Sequence, residues 1–160
     1  EIGKDLHEAI QKQGNPLQIT LSECVWMVKY RAIGETWNGI ILREKNTIQS
    51  LQQIFPSLTF KATTGEEDFT YAIDYKVYDS NGTLVAALQI KPKSYANGKT
   101  PAILKAKDAN KIKNANYYNK FGVPVLYVYA TNKGKILNQD VIQELANSLK
   151  NQNETMEKIS

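Results

Sequence analysis

Two strand-like segments dominate the hydrophobic pattern of the chain. Tyr71 to Ser80 is rich in Tyr, Ile and Val, Thr83 to Lys91 is almost wholly apolar, and Asn81-Gly82 lies between them. Asn-Gly in that setting is the strongest short-range signal for a two-residue type I′ hairpin. Upstream, Leu58 to Thr63 reads as a further strand, followed by an acidic loop, Glu66-Glu67-Asp68. Downstream, the near-continuous apolar run Val123 to Thr131 suits a buried strand. Helical signals fill the remainder. Lys4 to Gln13 reads as a short helix ended by Gly14-Asn15-Pro16, and Ser22 to Ile33 as a second carrying Val25, Trp26 and Val28. Asn38 is positioned to cap a third helix that runs to Phe55 and stops at Pro56. Thr100-Pro101 opens a helix to about Lys120, and Asp140 to Leu149 forms a closing one. The order predicts an α/β fold: a mixed central β-sheet flanked by helices, with an α-β-β-β-α-β core. One domain is expected, with residues 1–33 an N-terminal helical segment packed on a core of 34–150 and a frayed tail over 151–160.

Alternation across the hairpin separates two faces. Ile73, Tyr75, Val77, Leu84, Ala86, Leu88 and Ile90 share the expected core face. The other face carries Asp74, Lys76, Gln89 and Lys91 among Ala72, Ala87, Tyr78 and Val85, a poor set to bury unless the polar groups have partners. With Asn81 and Gly82 as the turn, Asp74 lies opposite Gln89, Cβ atoms roughly 5 Å apart, and Lys91 lies opposite Ala72. A carboxylate, an amide oxygen and an ammonium group thus converge. A hard cation such as Mg²⁺ takes oxygen ligands and keeps open positions for water, so Asp74 and Gln89 are its candidate ligands. Lys91 is placed to orient a water or stabilise charge on a phosphate.

This arrangement resembles the core of the PD-(D/E)XK nucleases, in which an acid on one strand faces an acid-x-Lys triplet on the next. Here the triplet reads Gln89-Ile90-Lys91, and glutamine in place of Asp or Glu removes a charge that would bind metal. Trp37-Asn38-Gly39, the acidic cluster before Asp74 and the Gln89 to Tyr95 run are similar to MjaI-type type II restriction endonucleases, over roughly Gly34 to Asn151. The resemblance implies a restriction-endonuclease-like fold, a dimer acting on palindromic duplex DNA, a short CTAG target and a cognate methyltransferase.

A stripe at 4-3-4-3-4 spacing, Trp37, Ile41, Glu44, Ile48, Leu51 and Phe55, contains Glu44 as its only charge. An inward carboxylate needs a cation, so Glu44 is a candidate further ligand, or else the partner of an arginine such as Arg31. Arg43 and Lys45 beside it point to solvent or phosphate. Composition excludes several alternatives. A single histidine, His7, and a single cysteine, Cys24, rule out a Cys/His zinc site, a His-metal nuclease motif and an internal disulfide, and make a Ser-His-Asp hydrolase improbable. No Gly-rich phosphate loop appears, no apolar run approaches the ~20 residues that span a bilayer, and no leader segment is visible. A bacterial or archaeal cytoplasm is the expected compartment.

Net charge is +4, but lysines concentrate after the hairpin, from Lys91 and Lys93 to Lys120, with Asp108 the sole acid among them. On a helical wheel Lys107, Asn110, Lys111, Asn114 and Tyr118 share one face, with Ala102, Ala109, Ile112 and Ala115 toward the other. Lys93, Lys107 and Lys111 suit phosphates, and Asn110 and Asn114 suit adenine edges. The sequence therefore reads as a metal-dependent endonuclease of double-stranded DNA, using Asp74, Gln89, Lys91 and Glu44 with Mg²⁺, or Mn²⁺ in its place. The alternatives are a repair or Holliday-junction nuclease of the same fold and a non-catalytic DNA-binding domain with a degenerate site.

Overall fold

Four strands form one mixed sheet in the order β1-β2-β3-β4 in a computed structural model that describes residues 2–15 and 18–157. Strand β1 is Thr59–Ala62, β2 Tyr75–Tyr78, β3 Leu84–Lys91 and β4 Val125–Tyr129. The first two junctions are antiparallel and β3 pairs with β4 in parallel. The helices are α1 (Ile2–Lys12), α2 (Leu21–Ile54), α3 (Gly65–Tyr71), α4 (Lys93–Asn97), α5 (Pro101–Phe121) and α6 (Asp140–Glu157). This is the expected α/β architecture with a mixed sheet flanked by helices. Pro16, expected to help end the first helix, and residues 158–160 of the expected tail lie outside the described residues. No helix among the described residues is long and apolar enough to cross a membrane.

The contacts divide into two units, Glu1–Ile41 and Leu42–Ser160. In the first, a Cβ added at Gly3 would lie 2.8 Å from Val25 Cα, so glycine there lets α1 cross α2 closely. Cys24 is buried, whereas Trp26, Tyr30, Ile33 and Trp37 are each about two-thirds exposed. The two helices expected over Ser22–Ile33 and Asn38–Phe55 are one uninterrupted helix, α2. Gly34 and Gly39 cost about 1 kcal/mol each in a helix interior, less than starting a new helix requires, and Asn38 sits inside the helix as an exposed residue instead of capping it. Pro56 follows its end, as expected.

In the second unit, Leu51 of α2 and Val141 and Leu145 of α6 pack with Val77, Leu88, Ile90 and Val128 of the sheet. A smaller cluster joins Ile73, Ala87, Tyr117 and Val123. The hairpin departs from the expected turn. Gly82 N–H donates to Asp79 O (3.1 Å) and Gly82 has φ +79°, while Asn81 does not have positive φ. The loop is the three-residue Ser80-Asn81-Gly82 form with glycine in the left-handed position. Asp79 Oδ1 ties it down by accepting from the N–H groups of Asn81 and Thr83. A bulge between Val77 and Tyr78 then restores the expected pairing, Tyr75 with Leu88 and Val77 with Ala86. The extra residue moves Val85 into the larger cluster and Leu84 against the smaller one, the reverse of the simple alternation.

The expected acidic loop is the helix α3, opened by a capping box: Thr64 Oγ1 accepts from Glu67 N–H (3.2 Å) and Glu67 Oε2 from Thr64 N–H (3.1 Å). Thr100 and Pro101 open α5 as expected, and Gly122 ends it in the left-handed conformation. The faces of α5 depart in part from the wheel expectation. Lys111 and Tyr118 are exposed, but Lys107, Asn110 and Asn114 are half-buried, whereas Ala102, Ala109, Ile112 and Ala115 are exposed.

Candidate active site

The exit from α3 sets the position of Asp74. Ala72 ends the helix with φ 53° and ψ 53°, a left-handed conformation that costs a residue with a Cβ about 1–2 kcal/mol. Two side chains hold that conformation. Asn114 Nδ2 donates to Tyr71 O (2.8 Å) and Ala72 O (3.2 Å), and Thr63 Oγ1 donates to Ile73 O (2.7 Å) and Asp74 O (3.1 Å). The turn reverses the alternation before β2, so Ile73 packs with Ala87 and Tyr117 and leaves the expected core face. The β2–β3 ladder ends at Tyr75 opposite Leu88. Beyond it the carboxylate stands in for a backbone carbonyl: Asp74 Oδ2 accepts from Ile90 N–H at 2.6 Å, and Asp74 N–H donates to Leu88 O at 2.8 Å.

Asp74, Gln89 and Lys91 are brought together at this end of the sheet. The Lys91 ammonium lies 4.0 Å from Asp74 Oδ2, with the Asp74 side chain 7% exposed and that of Lys91 26%. Gln89 is 1% exposed, and its Oε1 has no hydrogen-bond partner among the described residues. In the parallel register Gln89 sits beside Tyr127 and Lys91 beside Tyr129, so these four share a face. Burial raises the Asp74 pKa, Asp68 adds to the rise, and Lys91 and the Ile90 N–H oppose it.

Glu44 joins this electrostatic group from α2. Burial and then the Asp74 charge push its pKa up to about 7, with Asp68 adding and Lys91 and Arg43 opposing. Arg43 turns to the β4–α6 loop, where Nη2 donates to Asn132 Oδ1 (2.8 Å). Asn46 Nδ2 donates to Asn132 O (2.7 Å), and Gly134 lies so close that an added Cβ would be 2.4 Å from Asn46 O. Asp68, expected to be a solvated loop residue, acts on both Asp74 and Glu44 because α3 carries it there. Thr64-Gly-Glu-Glu67 was the sequence signal for that helix.

The proposed DNA contacts divide into two kinds. Lys93 and Lys111 are exposed. Lys107 Nζ donates to Ala96 O (2.8 Å) and Gly98 O (3.2 Å), holding α4 against α5, and Asn110 Nδ2 donates to Tyr95 OH (3.0 Å). Asn114 accepts from Tyr127 OH (2.9 Å) besides its two donations, so its amide is fully engaged within the fold.

The donor set fits a hard divalent cation. An orphaned buried carbonyl oxygen on Gln89, one residue before the N–H that holds a carboxylate whose charge burial disfavours, is a cost that a bound cation would remove. Among the described residues no three His, Cys, Asp or Glu side chains form a metal site by themselves.

Residues 1–145 match the MjaI restriction endonuclease family. The chain belongs to that family. Its activity is accordingly that of a restriction endonuclease, of type II, with DNA as substrate. No curated protein and no solved structure gives a significant match. Family membership agrees with the mixed sheet, whose strand end carries the candidate site.

Proposed function

We propose that this restriction endonuclease hydrolyses double-stranded DNA at a defined sequence, in a divalent-cation-dependent reaction centred on Asp74, Gln89 and Lys91, in the manner of the PD-(D/E)XK nucleases. The observation that carries the reading is the unpartnered Gln89 Oε1 on the strand whose Ile90 N–H holds the Asp74 carboxylate. Asp74 and Gln89 would hold Mg²⁺, or Mn²⁺ in its place, with Glu44 within electrostatic reach of Asp74. The cation supplies Lewis-acid stabilisation of phosphate charge and lowers the pKa of a water. Lys91, tethered by Asp74, donates to the phosphate oxygens as their charge grows. Lys93 and Lys111 contact neighbouring phosphates. The CTAG target and a protecting methyltransferase follow from likeness to the family, as does a prokaryotic cytoplasm.

A pair of chains is part of this proposal. One such site per chain serves one strand, and a two-fold dimer presents two to a duplex. The exposed Trp26, Tyr30, Ile33 and Trp37 on α2, spaced at successive helical turns, support a helix-to-helix contact between copies.

The test is digestion of a duplex of known sequence with Mg²⁺ or EDTA, mapping the ends, for the wild type and Asp74→Asn. Sequence-defined ends from the wild type and a loss on the order of 10²-fold or more in the variant are expected, with DNA binding retained. Wild-type turnover by Asp74→Asn would remove Asp74 from the reaction. Undefined ends would favour a repair or junction nuclease, and no cleavage would favour a binding domain.

A further inference from the structure

A cavity opens on the face that carries Gln89 and Lys91. Tyr95, Tyr127, Tyr129, Lys107, Lys111 and Asn114 line most of its roughly 430 Å³. Tyr127 and Tyr129 are the β4 neighbours of Gln89 and Lys91, so the cavity lies beside the candidate active site on the same face of the sheet. Its walls are pre-set. Tyr95 and Tyr127 lie nearly parallel, 14° apart with centroids 6.4 Å apart. Asn110 fixes the Tyr95 hydroxyl, and Asn114 fixes that of Tyr127. Lys107 lies 5.7 Å from the Tyr95 ring centroid while its ammonium donates to Ala96 O and Gly98 O, which ties the end of α4 to α5. Exposed Lys111 adds a positive charge at the rim. Three tyrosine rings, two of them with their hydroxyls held by asparagine amides, beside two ammonium groups, suit a flat heteroaromatic ring joined to a phosphate.

We infer that this tyrosine-lined cavity receives a single nucleotide extruded from the DNA next to the scissile phosphate, its base against Tyr95 and Tyr127 and its phosphate toward Lys111. The inference rests on the nuclease reading, because Gln89 and Lys91 must face the same strand. Unstacking a base costs free energy, and stacking on aromatic side chains returns part of it. The cavity thereby discriminates among steps that unstack easily, and contributes to site selection without reading a base edge in the duplex. A free nucleotide has the same chemistry as an extruded one.

The test uses the duplex whose cleavage site the wild type defines, with 2-aminopurine placed in turn at each position in and beside that site. Asp74→Asn protein keeps the DNA uncut. A several-fold rise in emission at one position on binding is expected, abolished when Tyr95→Ala is added and restored by Tyr95→Phe, which keeps the ring. Tyr129→Leu should lower the rise without unfolding the chain, as checked by circular dichroism. Deoxynucleoside monophosphate at millimolar concentration should leave the bound-DNA signal unchanged if the strand itself supplies the nucleotide; loss of signal while the DNA stays bound would assign the cavity to free nucleotide and overturn the inference. Absence of a rise at every position, or a rise that Tyr95→Ala leaves intact, also overturns it. Cleavage by the wild-type protein stands or falls separately, so either failure is distinguishable from failure of the nuclease reading.

Discussion

Gln89 is the most costly side chain in the site to explain without a ligand. Leaving a buried acceptor unsatisfied costs about 1–3 kcal/mol, and its Oε1 is both buried and unpartnered. Gln89→Glu keeps the length and adds a ligand charge. In the absence of metal the variant should melt below the wild type, and Mg²⁺ should stabilise it more, with cleavage half-activated at a lower Mg²⁺ concentration. Equal Mg²⁺ affinity in the two DNA-free proteins would take Gln89 out of the site. Glu44 allows a test by pH. Its pKa is about 7 in the fold against 4.5 for the free side chain, so the folded state holds a proton that the unfolded state releases. The stability due to this group is complete below pH 4.5 and is lost as pH rises to about 7. Glu44→Gln mimics the protonated form, so its melting temperature should exceed that of the wild type above pH 7, with the gap closing toward pH 4.5. Asp74, Asp68, Lys91 and Arg43 all act on Glu44, and Mg²⁺ should narrow the gap at high pH by favouring the carboxylate. A gap independent of pH would place Glu44 outside this charge cluster.

Helix α5 shows why a wheel drawn from polarity misassigns a face. Asn114 and Lys107 look like surface groups, but backbone carbonyls at the α3 exit and the α4 end lack helical partners, and long or amide side chains reach them. Alanine and Ile112 are then left outside because the inner positions are taken. Asn114→Ala should therefore destabilise the fold by about 1–3 kcal/mol and reduce cleavage through misplacement of Asp74. Urea denaturation reads the first effect. An unchanged midpoint with weakened DNA binding would instead restore Asn114 as a DNA contact. The same reasoning explains α3: its acidic residues suit the first turn of a helix as well as a loop, and the Thr64–Glu67 spacing decides between them. For α2, Asn38 was expected to cap a separate helix, and the flanking helix formers override that start.

Across the whole chain, the distribution of aromatic residues gives a direct test of association. Both tryptophans, Trp26 and Trp37, lie among the exposed apolar positions of α2. If that surface joins two copies, tryptophan emission should shift to the blue as protein concentration rises, in step with a doubling of mass in sedimentation equilibrium. Ile33→Glu should abolish both changes and leave the circular dichroism spectrum intact. In the dimer reading such a variant nicks one strand of a supercoiled plasmid faster than it linearises it. A dimer whose tryptophan emission does not change with concentration would move the interface elsewhere.

The hairpin trio was legible in the sequence because strand alternation and a turn signal are local rules. Asp74, Gln89 and Lys91 follow from them even though the turn has three residues, since the bulge at Val77 and Tyr78 offsets the longer loop. The mixed sheet followed from the order of the elements, and the half-buried place of Glu44 from its spacing with Ile48, Leu51 and Phe55, although Trp37 and Ile41 of the same stripe are exposed. Tertiary structure alone decided which face of α5 turns inward, that Asp68 acts on Asp74 and Glu44, and that three tyrosines meet beside the site. These depend on contacts between residues far apart in the chain, where an unpaired backbone carbonyl or a buried charge selects its partner by position in space. No periodicity within one segment encodes that choice.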